Sequence, residues 1–160
     1  MEAIVVNMGR YEVSNNSTEL VCVGLGSCVG IALYDAVHKI GALAHVVLPK
    51  QSEGKNKGNK YKYADASIEA MLEEMEEQGA ERRSTRAKLF GGANMFPHVL
   101  GSKILRIGER NLEAVKEELT KRKIKIVAEE VGGHFGRTIY FNVKTGDVRV
   151  RDIHGEERIC

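Results

Sequence analysis

The chain has 160 residues and a mass of 17.7 kDa, enough for one ordinary domain that buries roughly 70% of its unfolded surface. Hydrophobic residues make up 42% and charged residues 29%, with two prolines and no tryptophan, a balance that excludes disordered and fibrous chains. The net charge of +2 is spread along the sequence; the densest basic run, Lys121-Arg122-Lys123, suits a helix end better than a nucleic-acid surface, so no nucleic acid is expected as partner.

No stretch approaches the roughly 20 apolar residues that span a bilayer, and residues 1–10 lack the basic region and apolar core of a secretory signal. No membrane insertion is expected. Three cysteines without an export signal do not make a disulfide framework, which points to a reducing, cytoplasmic setting.

Ala3 to Val6 and Tyr11 to Val13 are β-prone pieces around Gly9, and Ser14 to Thr18 is a polar turn. The apolar run Leu20 to Leu25 enters Gly24-Leu25-Gly26-Ser27-Cys28-Val29-Gly30, and a second run extends from Val29 to Tyr34. A thiol between paired glycines, where two apolar runs meet, is where a nucleophile would stand. The glycines allow a tight turn and close approach of another molecule, and the main-chain N–H groups around Gly26, Ser27 and Cys28 can converge on an oxyanion. The dinucleotide fingerprint fails because position 29 is Val, and no Gly-Lys-Ser/Thr follows as in a Walker loop. Gly26-Ser27-Cys28-Val29-Gly30 fits a nucleophile elbow with Cys in place of Ser, but the residues after it read as a strand, so the elbow is the minor reading.

Asp35 to Gly41 reads as a hairpin loop, and Ala42 to Leu48, closed by Pro49, as the return strand. With the turn centred near residues 36 and 37, His45 falls opposite Cys28 or one pair away on the same face; their separation of 17 is odd, as this register requires. An imidazole there can accept the thiol proton or stabilise the thiolate. The bland alternatives are a buried structural cysteine and a hydrogen-bonded strand histidine. His38, His98, His134 and His154 fall in loops or near the tail and are less well placed. A metal site would need C-x-x-C, H-E-x-x-H or paired histidines; none occurs, and Cys22 and Cys28 have no second pair. No metal and no cofactor are expected.

Gln51 to Lys60, rich in Gly, Lys and Asn, is expected to be a mobile loop and a candidate lid. From Tyr63, the spacing of Ala64, Ile68, Met71, Leu72 and Met75 predicts a helix ended by Gly79. Ala87 to Phe90 reads as a strand leading into a second glycine loop, Gly91-Gly92-Ala93-Asn94-Met95-Phe96-Pro97. Its Met95 and Phe96 either join the core, the commoner fate, or face a partner. Glu109 to Lys121, with Leu112, Val115 and Leu119 on one stripe, is a second amphipathic helix. Ile124 to Ala128 is a strand, Gly132 to Arg137 a third glycine loop, and Thr138 to Val143 with Val148 to Ile153 a second hairpin. Residues 154–160, including Cys160, are expected to fray. The fold class is α/β (α+β): a single domain over 1–160, a layered sandwich of mainly antiparallel sheets with two helices packed outside.

The glycine stretch around Cys28, the strand Ala44-His45-Val46-Val47-Leu48-Pro49, Lys62-Tyr63-Ala64-Asp65, Gly91-Gly92-Ala93-Asn94-Met95-Phe96, and Gly132-Gly133 through Gly136-Arg137 together resemble the chemoreceptor glutamine deamidases, the CheD family of chemotaxis proteins, over nearly the whole chain and in order. The resemblance implies Cys28 as nucleophile and His45 as general base. The family's third catalytic position, usually Thr, falls on Cys22, a departure that leaves either this thiol or a backbone carbonyl to orient His45. The resemblance also implies a sandwich like that of toxin-type glutamine deamidases and, as reaction, conversion of glutamine side chains on the cytoplasmic helices of methyl-accepting receptors to glutamate with release of ammonia. It further implies a CheC-type phosphatase as partner, competing with receptor for the active-site region. Gly91, Gly92, Met95 and Phe96 are candidate substrate or partner contacts. Two other readings stand beside it: a non-catalytic regulator using the same cleft, and another cysteine amidohydrolase or thioesterase.

Overall fold

The computed structural model describes residues 2–49, 59–95 and 106–160. In chain order the strands are β1 (Glu2–Val5), β2 (Tyr11–Ser14), β3 (Thr18–Leu25), β4 (Val29–Asp35) and β5 (Ile40–Val46), then helix α1 (Ala64–Glu77) and β6 (Thr85–Gly91). Helix α2 (Ile107–Lys121), β7 (Lys125–Val131), β8 (Arg137–Asn142), β9 (Val148–Asp152) and β10 (Glu157–Ile159) complete it. One sheet has the order β1-β3-β8-β9-β10 and the other β2-β5-β4-β6-β7. The pairs β1–β3 and β6–β7 are parallel and the others antiparallel.

Side chains on a strand point alternately to opposite faces, and this alternation assigns them to layers. Val29, Ile31 and Leu33 of β4, with Ala42, Ala44 and Val46 of β5, pack against Ile68, Met71, Leu72 and Met75 of α1 and Val115 and Leu119 of α2. The opposite faces, with Ala32, Leu43 and Phe90, meet Leu20, Cys22, Leu25, Ile139 and Phe141 of the first sheet. The order of layers is therefore sheet, sheet, helices, with both helices on one side. Each fully buried Leu, Ile or Met contributes roughly 1.5 to 3 kcal/mol. Helix α1 opens with Asp65 near the positive end of its dipole and stops where Gly79, at φ +111°, takes a backbone that a side chain would strain.

Several strands differ from their sequence-based limits. The return strand of the first hairpin begins at Ile40 rather than Ala42, because Ile40 and Gly41 pair with Asp35 and Tyr34. It stops at Val46 rather than Leu48, because the N–H groups of Val47 and Leu48 turn to the carbonyl of Lys62 at 2.9 and 2.8 Å. The tail expected to fray is instead the edge strand β10, paired with β9. Cys160 exchanges main-chain hydrogen bonds with Val148 at 2.8 and 2.9 Å, and Lys88 Nζ donates to its carbonyl at 2.8 Å. Of the expected lid, residues 51–58 lie outside the described residues. Lys60 belongs to a short 3-10 turn, Lys60–Lys62, capped by Asn59, whose amide also donates to Gly9 O at 3.1 Å. After Cys28 comes strand β4 rather than a helix, which removes the elbow.

Candidate active site

Because β3 belongs to one sheet and β4 to the other, Gly26-Ser27-Cys28 is the point where the chain crosses between layers. That crossing brings Cys28 to the end of the space between the sheets, half-buried against the apolar cluster that contains Cys22, Leu25 and Ile139. Two glycines shape it. A Cβ on Gly30 would stand 2.9 Å from both Leu25 Cδ1 and Ile139 Cδ1, so the glycine lets the sheets close up behind the thiol. Gly91 lies so near the Cys28 main chain that a Cβ would come within 2.3 Å of the Cys28 oxygen, and its φ of +93° suits glycine alone.

His45 pairs with Gly30 across β4 and β5, two residues along the strand from Cys28, which precedes the first ladder pair, Val29 with Val46. Its neighbours Ala44 and Val46 face the helices and Leu43 faces the first sheet, so the imidazole shares the inter-sheet side with Cys28; it is 4% exposed. His45 Nδ1 lies 3.1 Å from the carbonyl oxygen of Val6. A carbonyl only accepts, so Nδ1 carries the proton and donates, and Nε2 keeps its lone pair. The main chain of His45 is held as well, its N–H donating to Arg10 O at 3.0 Å and its carbonyl accepting from Gly9 N–H at 2.9 Å.

Burial pushes the Cys28 thiol up from its ordinary value, against the opposing effect of its own main-chain N–H. Burial likewise pulls His45 down, against the Val6 hydrogen bond. Both shifts favour the neutral forms, so at neutral pH the resting site holds a thiol and an imidazole rather than an ion pair. Cys22 is fully buried in the same layer, opposite Ile139. Burial, reinforced by the nearby Cys28, pushes its thiol far above the ordinary range. The atom that orients His45 is the Val6 carbonyl.

The three glycine loops interlock. Gly92 N–H donates to Cys28 O at 2.8 Å and Ala93 N–H to Gly26 O at 2.9 Å. Gly132 N–H donates to Gly91 O, and Arg137 reaches the carbonyls of Gly91 and Gly132 at 3.3 and 2.8 Å. His134 Nδ1 donates to Asn94 O at 3.0 Å and fastens a loop. Gly92 backs onto Leu112 of α2, whereas Met95, partly exposed, lies over Gly26 beside the nucleophile loop. Phe96 and His98 lie outside the described residues. His38 sits in the β4–β5 turn, and His154 meets Phe135 edge to face. Among the described residues no group of three or more His, Cys, Asp or Glu side chains is arranged to hold a metal ion, and no helix is long and apolar enough to cross a membrane.

Sequence reasoning missed three participants. The Val6 carbonyl has no side-chain signature. Arg137 was part of a motif without a role. Asn111, fully buried on α2, donates through Nδ2 to Ser27 O at 3.0 Å and to Val47 O at 2.9 Å. It shares a helix stripe with Val115 and Leu119, and a polar residue on an otherwise apolar stripe was the available signal.

A half-buried thiol and a buried, neutral imidazole facing one space between two sheets are the components of which cysteine hydrolases are made. The chain belongs to the CheD family: the model for CheD chemotactic sensory transduction matches residues 47–152. Curated relatives extend the likeness across the N-terminal strands. A probable chemoreceptor glutamine deamidase CheD from Syntrophomonas wolfei is 44% identical over 156 residues, 98% of this chain and 97% of the relative. The chemoreceptor glutamine deamidase CheD of Halalkalibacterium halodurans is 42% identical over 160 residues, 99% of each chain. A probable chemoreceptor glutamine deamidase from Thermococcus kodakarensis is 43% identical over 94% of this chain and 92% of its own.

Proposed function

We propose that this chain is a single-domain chemoreceptor glutamine deamidase, with Cys28 as nucleophile and His45 as general base. The observation that supports the reading is that Cys28 packs against the inter-sheet cluster and the register of β4 and β5 turns His45 to that same side, while Val6 occupies Nδ1 of the imidazole. His45 Nε2 takes the thiol proton as sulfur attacks the glutamine side-chain carbonyl, and main-chain N–H groups of the Gly26-Ser27-Cys28 loop receive the oxyanion. The proton passes from the imidazolium to the amide nitrogen, ammonia leaves, and a thioester remains. Water, deprotonated by the same imidazole, adds to the thioester; the sulfur departs and takes back the proton, and the product is glutamate. Atoms balance as amide plus water giving acid plus ammonia. Each turnover adds one negative charge to a receptor helix.

The substrates are glutamines on the helical cytoplasmic part of methyl-accepting receptors, which sets the site of action in the cytoplasm. Met95, beside the nucleophile loop, is the contact that a receptor helix or a CheC-type phosphatase would share with it. We read the sheet-sheet-helix layering as the sandwich of toxin-type glutamine deamidases.

The test is ammonia release and intact mass of a receptor fragment incubated with native protein and with Cys28→Ala. Amide-to-acid mass change with the native protein and none with the variant is the expected result. A variant that stays fully active removes Cys28 from the role. Complex formation without any mass change would favour a binding regulator, and turnover of small amides or thioesters with indifference to receptor another hydrolase.

A further inference from the structure

Cys28 is flanked by two peptide planes, and different partners hold them. The plane after it is fixed by Gly92 N–H on the Cys28 carbonyl at 2.8 Å. The plane before it carries the Cys28 N–H, and its carbonyl, that of Ser27, is held by Asn111. We infer that Asn111 is a positioning residue: its side-chain amide clamps the Ser27–Cys28 peptide to the end of the His45 strand and so aims the Cys28 N–H at the developing oxyanion. This role rests on the deamidase reading given above.

The ladder between β4 and β5 ends at Val29 and Val46. One step further, Val47 N–H turns away to Lys62, and among the described residues no main-chain N–H reaches the carbonyl of Ser27 or of Val47. Both are acceptors, so neither can satisfy the other. The Asn111 NH2 group, with two protons, meets both, at 3.0 and 2.9 Å. Since both partners are carbonyls, the orientation of the amide follows from the chemistry. It joins the nucleophile loop to the base strand where the main chain no longer does.

The arrangement is specific to a donor. Asn111 is fully buried, yet its Oδ1 has no hydrogen-bond partner among the described residues. An apolar side chain of the same volume would spare that loss but leave two part-buried carbonyls without their donor. The amide also stands on a rigid support, because α2 is anchored by Val115 and Leu119 in the core. In a trans peptide the C=O and N–H point opposite ways, and no cis peptide occurs among the described residues. Pinning the Ser27 oxygen therefore fixes the direction of the Cys28 N–H. The N–H of a nucleophile's own residue lies close to the carbon its side chain attacks, and hence to the oxygen that becomes charged.

The test compares native protein, Asn111→Leu, Asn111→Asp and, as a stability control remote from the site, Ile68→Val. Two readouts are used: kcat and KM for deamidation of a receptor fragment, and the pH midpoint of Cys28 alkylation by iodoacetamide, which needs no receptor. For Asn111→Leu the expected result is a fall in kcat of about 10²-fold with KM changed less than about twofold, and an alkylation midpoint moved to higher pH. Ile68→Val, at a similar or lower Tm, keeps both near native. Asn111→Asp replaces the donor with a carboxylate facing two carbonyls, and protonation returns one O–H donor. Its rate relative to native protein should therefore climb as pH falls, measured well below its Tm. Native kcat and midpoint in Asn111→Leu overturn the clamp whatever its Tm; should that variant not fold, a pH-independent rate ratio for Asn111→Asp overturns it. If native protein leaves receptor glutamines intact while the midpoint still shifts, the deamidase reading falls and the clamp stands. If native protein deamidates and Asn111→Leu does so equally well, the reading stands and the clamp falls.

Discussion

At the turn of the hairpin formed by β4 and β5, His38 gives Nδ1 to Asp35 Oδ2 at 2.7 Å; at the open end of the same hairpin, His45 gives Nδ1 to the Val6 carbonyl at 3.1 Å. The two partners differ in charge. Asp35 is fully buried and also accepts the N–H groups of Val37, His38 and Glu81. Burial alone would raise its pKa, but the Glu81 N–H, the His38 ring and the Ser84 hydroxyl together bring it down to about 2. A histidine tied to such a carboxylate is a fastener for a turn. A histidine tied to a neutral carbonyl is fixed in one tautomer without being drawn into a charge pair, and its other nitrogen remains a base. One hairpin thus holds two histidines in different settings, one tied to a carboxylate and the other, the proposed base, to a neutral carbonyl.

The largest expected effect separates the two directly. His45→Gln should lower kcat/KM for receptor deamidation by about 10³-fold, the scale of a lost general base, whereas His38→Gln should change it less than about twofold and act on Tm alone. Equal losses in the two variants would erase the distinction. Next comes the packing that only the open end requires. Gly91→Ala puts a Cβ against the Cys28 oxygen and strains a φ of +93°, and should destabilise by about 3 kcal/mol and lower activity in the folded fraction. Denaturant unfolding and initial rates measure the two parts. Asp35→Ala should cost about 2 kcal/mol by stranding three N–H donors and leave the rate of the folded fraction near native.

How far the sequence foretold this contrast depends on the residue. That His45 turns to the same inter-sheet side as Cys28 was legible, because side-chain alternation has a period of two and an odd separation across a hairpin puts two residues on one face. The amphipathic helices were legible from their stripes. That Leu20 to Leu25 and Val29 to Tyr34 belong to different sheets was not, since an apolar strand in a two-sheet core reads the same in either layer. The pairing of Glu157–Ile159 was also hidden: the segment is short and exposed, and its strand character comes from the edge of β9 and from Lys88 rather than from its own pattern. The orienting carbonyl of Val6 is a main-chain atom brought in by a distant strand, and no residue type announces it.

The two ends should also part company with pH, and the sign follows from each shift. Asp35 is more acidic in the fold, so its contribution to stability is fully present above the unfolded value near 3.8 and is lost as pH falls through about 2. His45 resists protonation in the fold, so its contribution is present above the ordinary imidazole value of 6.5 and declines as pH falls below it. With His45 as the proposed base, activity should have an acid limb in kcat/KM below pH 6.5. Thermal unfolding of native protein, Asp35→Ala and His45→Gln across pH separates the terms: His45→Gln should flatten the decline just below 6.5, and Asp35→Ala the one at strongly acid pH. A native acid limb above 6.5 would mean that the ring is held as a cation after all.

The smallest expected effect concerns Cys22, where the resemblance leads to a threonine. If a third side chain were needed to hold the imidazole, shortening Cys22 would cripple the enzyme. The Val6 carbonyl already accepts the hydrogen bond of Nδ1–H, and Cys22 is a fully buried thiol that burial keeps protonated, packed with Leu25 and Ile139. Cys22→Ala should therefore lower kcat by about threefold to fivefold, through loosened packing behind Cys28, and cost about 1 to 2 kcal/mol for the small cavity. Cys22→Thr fills the space but buries a hydroxyl, which lowers stability unless that hydroxyl finds an acceptor. Steady-state rates and denaturant midpoints for both variants decide it. A loss in Cys22→Ala as deep as that in His45→Gln would show that the orienting hydrogen bond from His45 to the Val6 carbonyl is insufficient, and that the His45 end of the hairpin depends on three side chains rather than two.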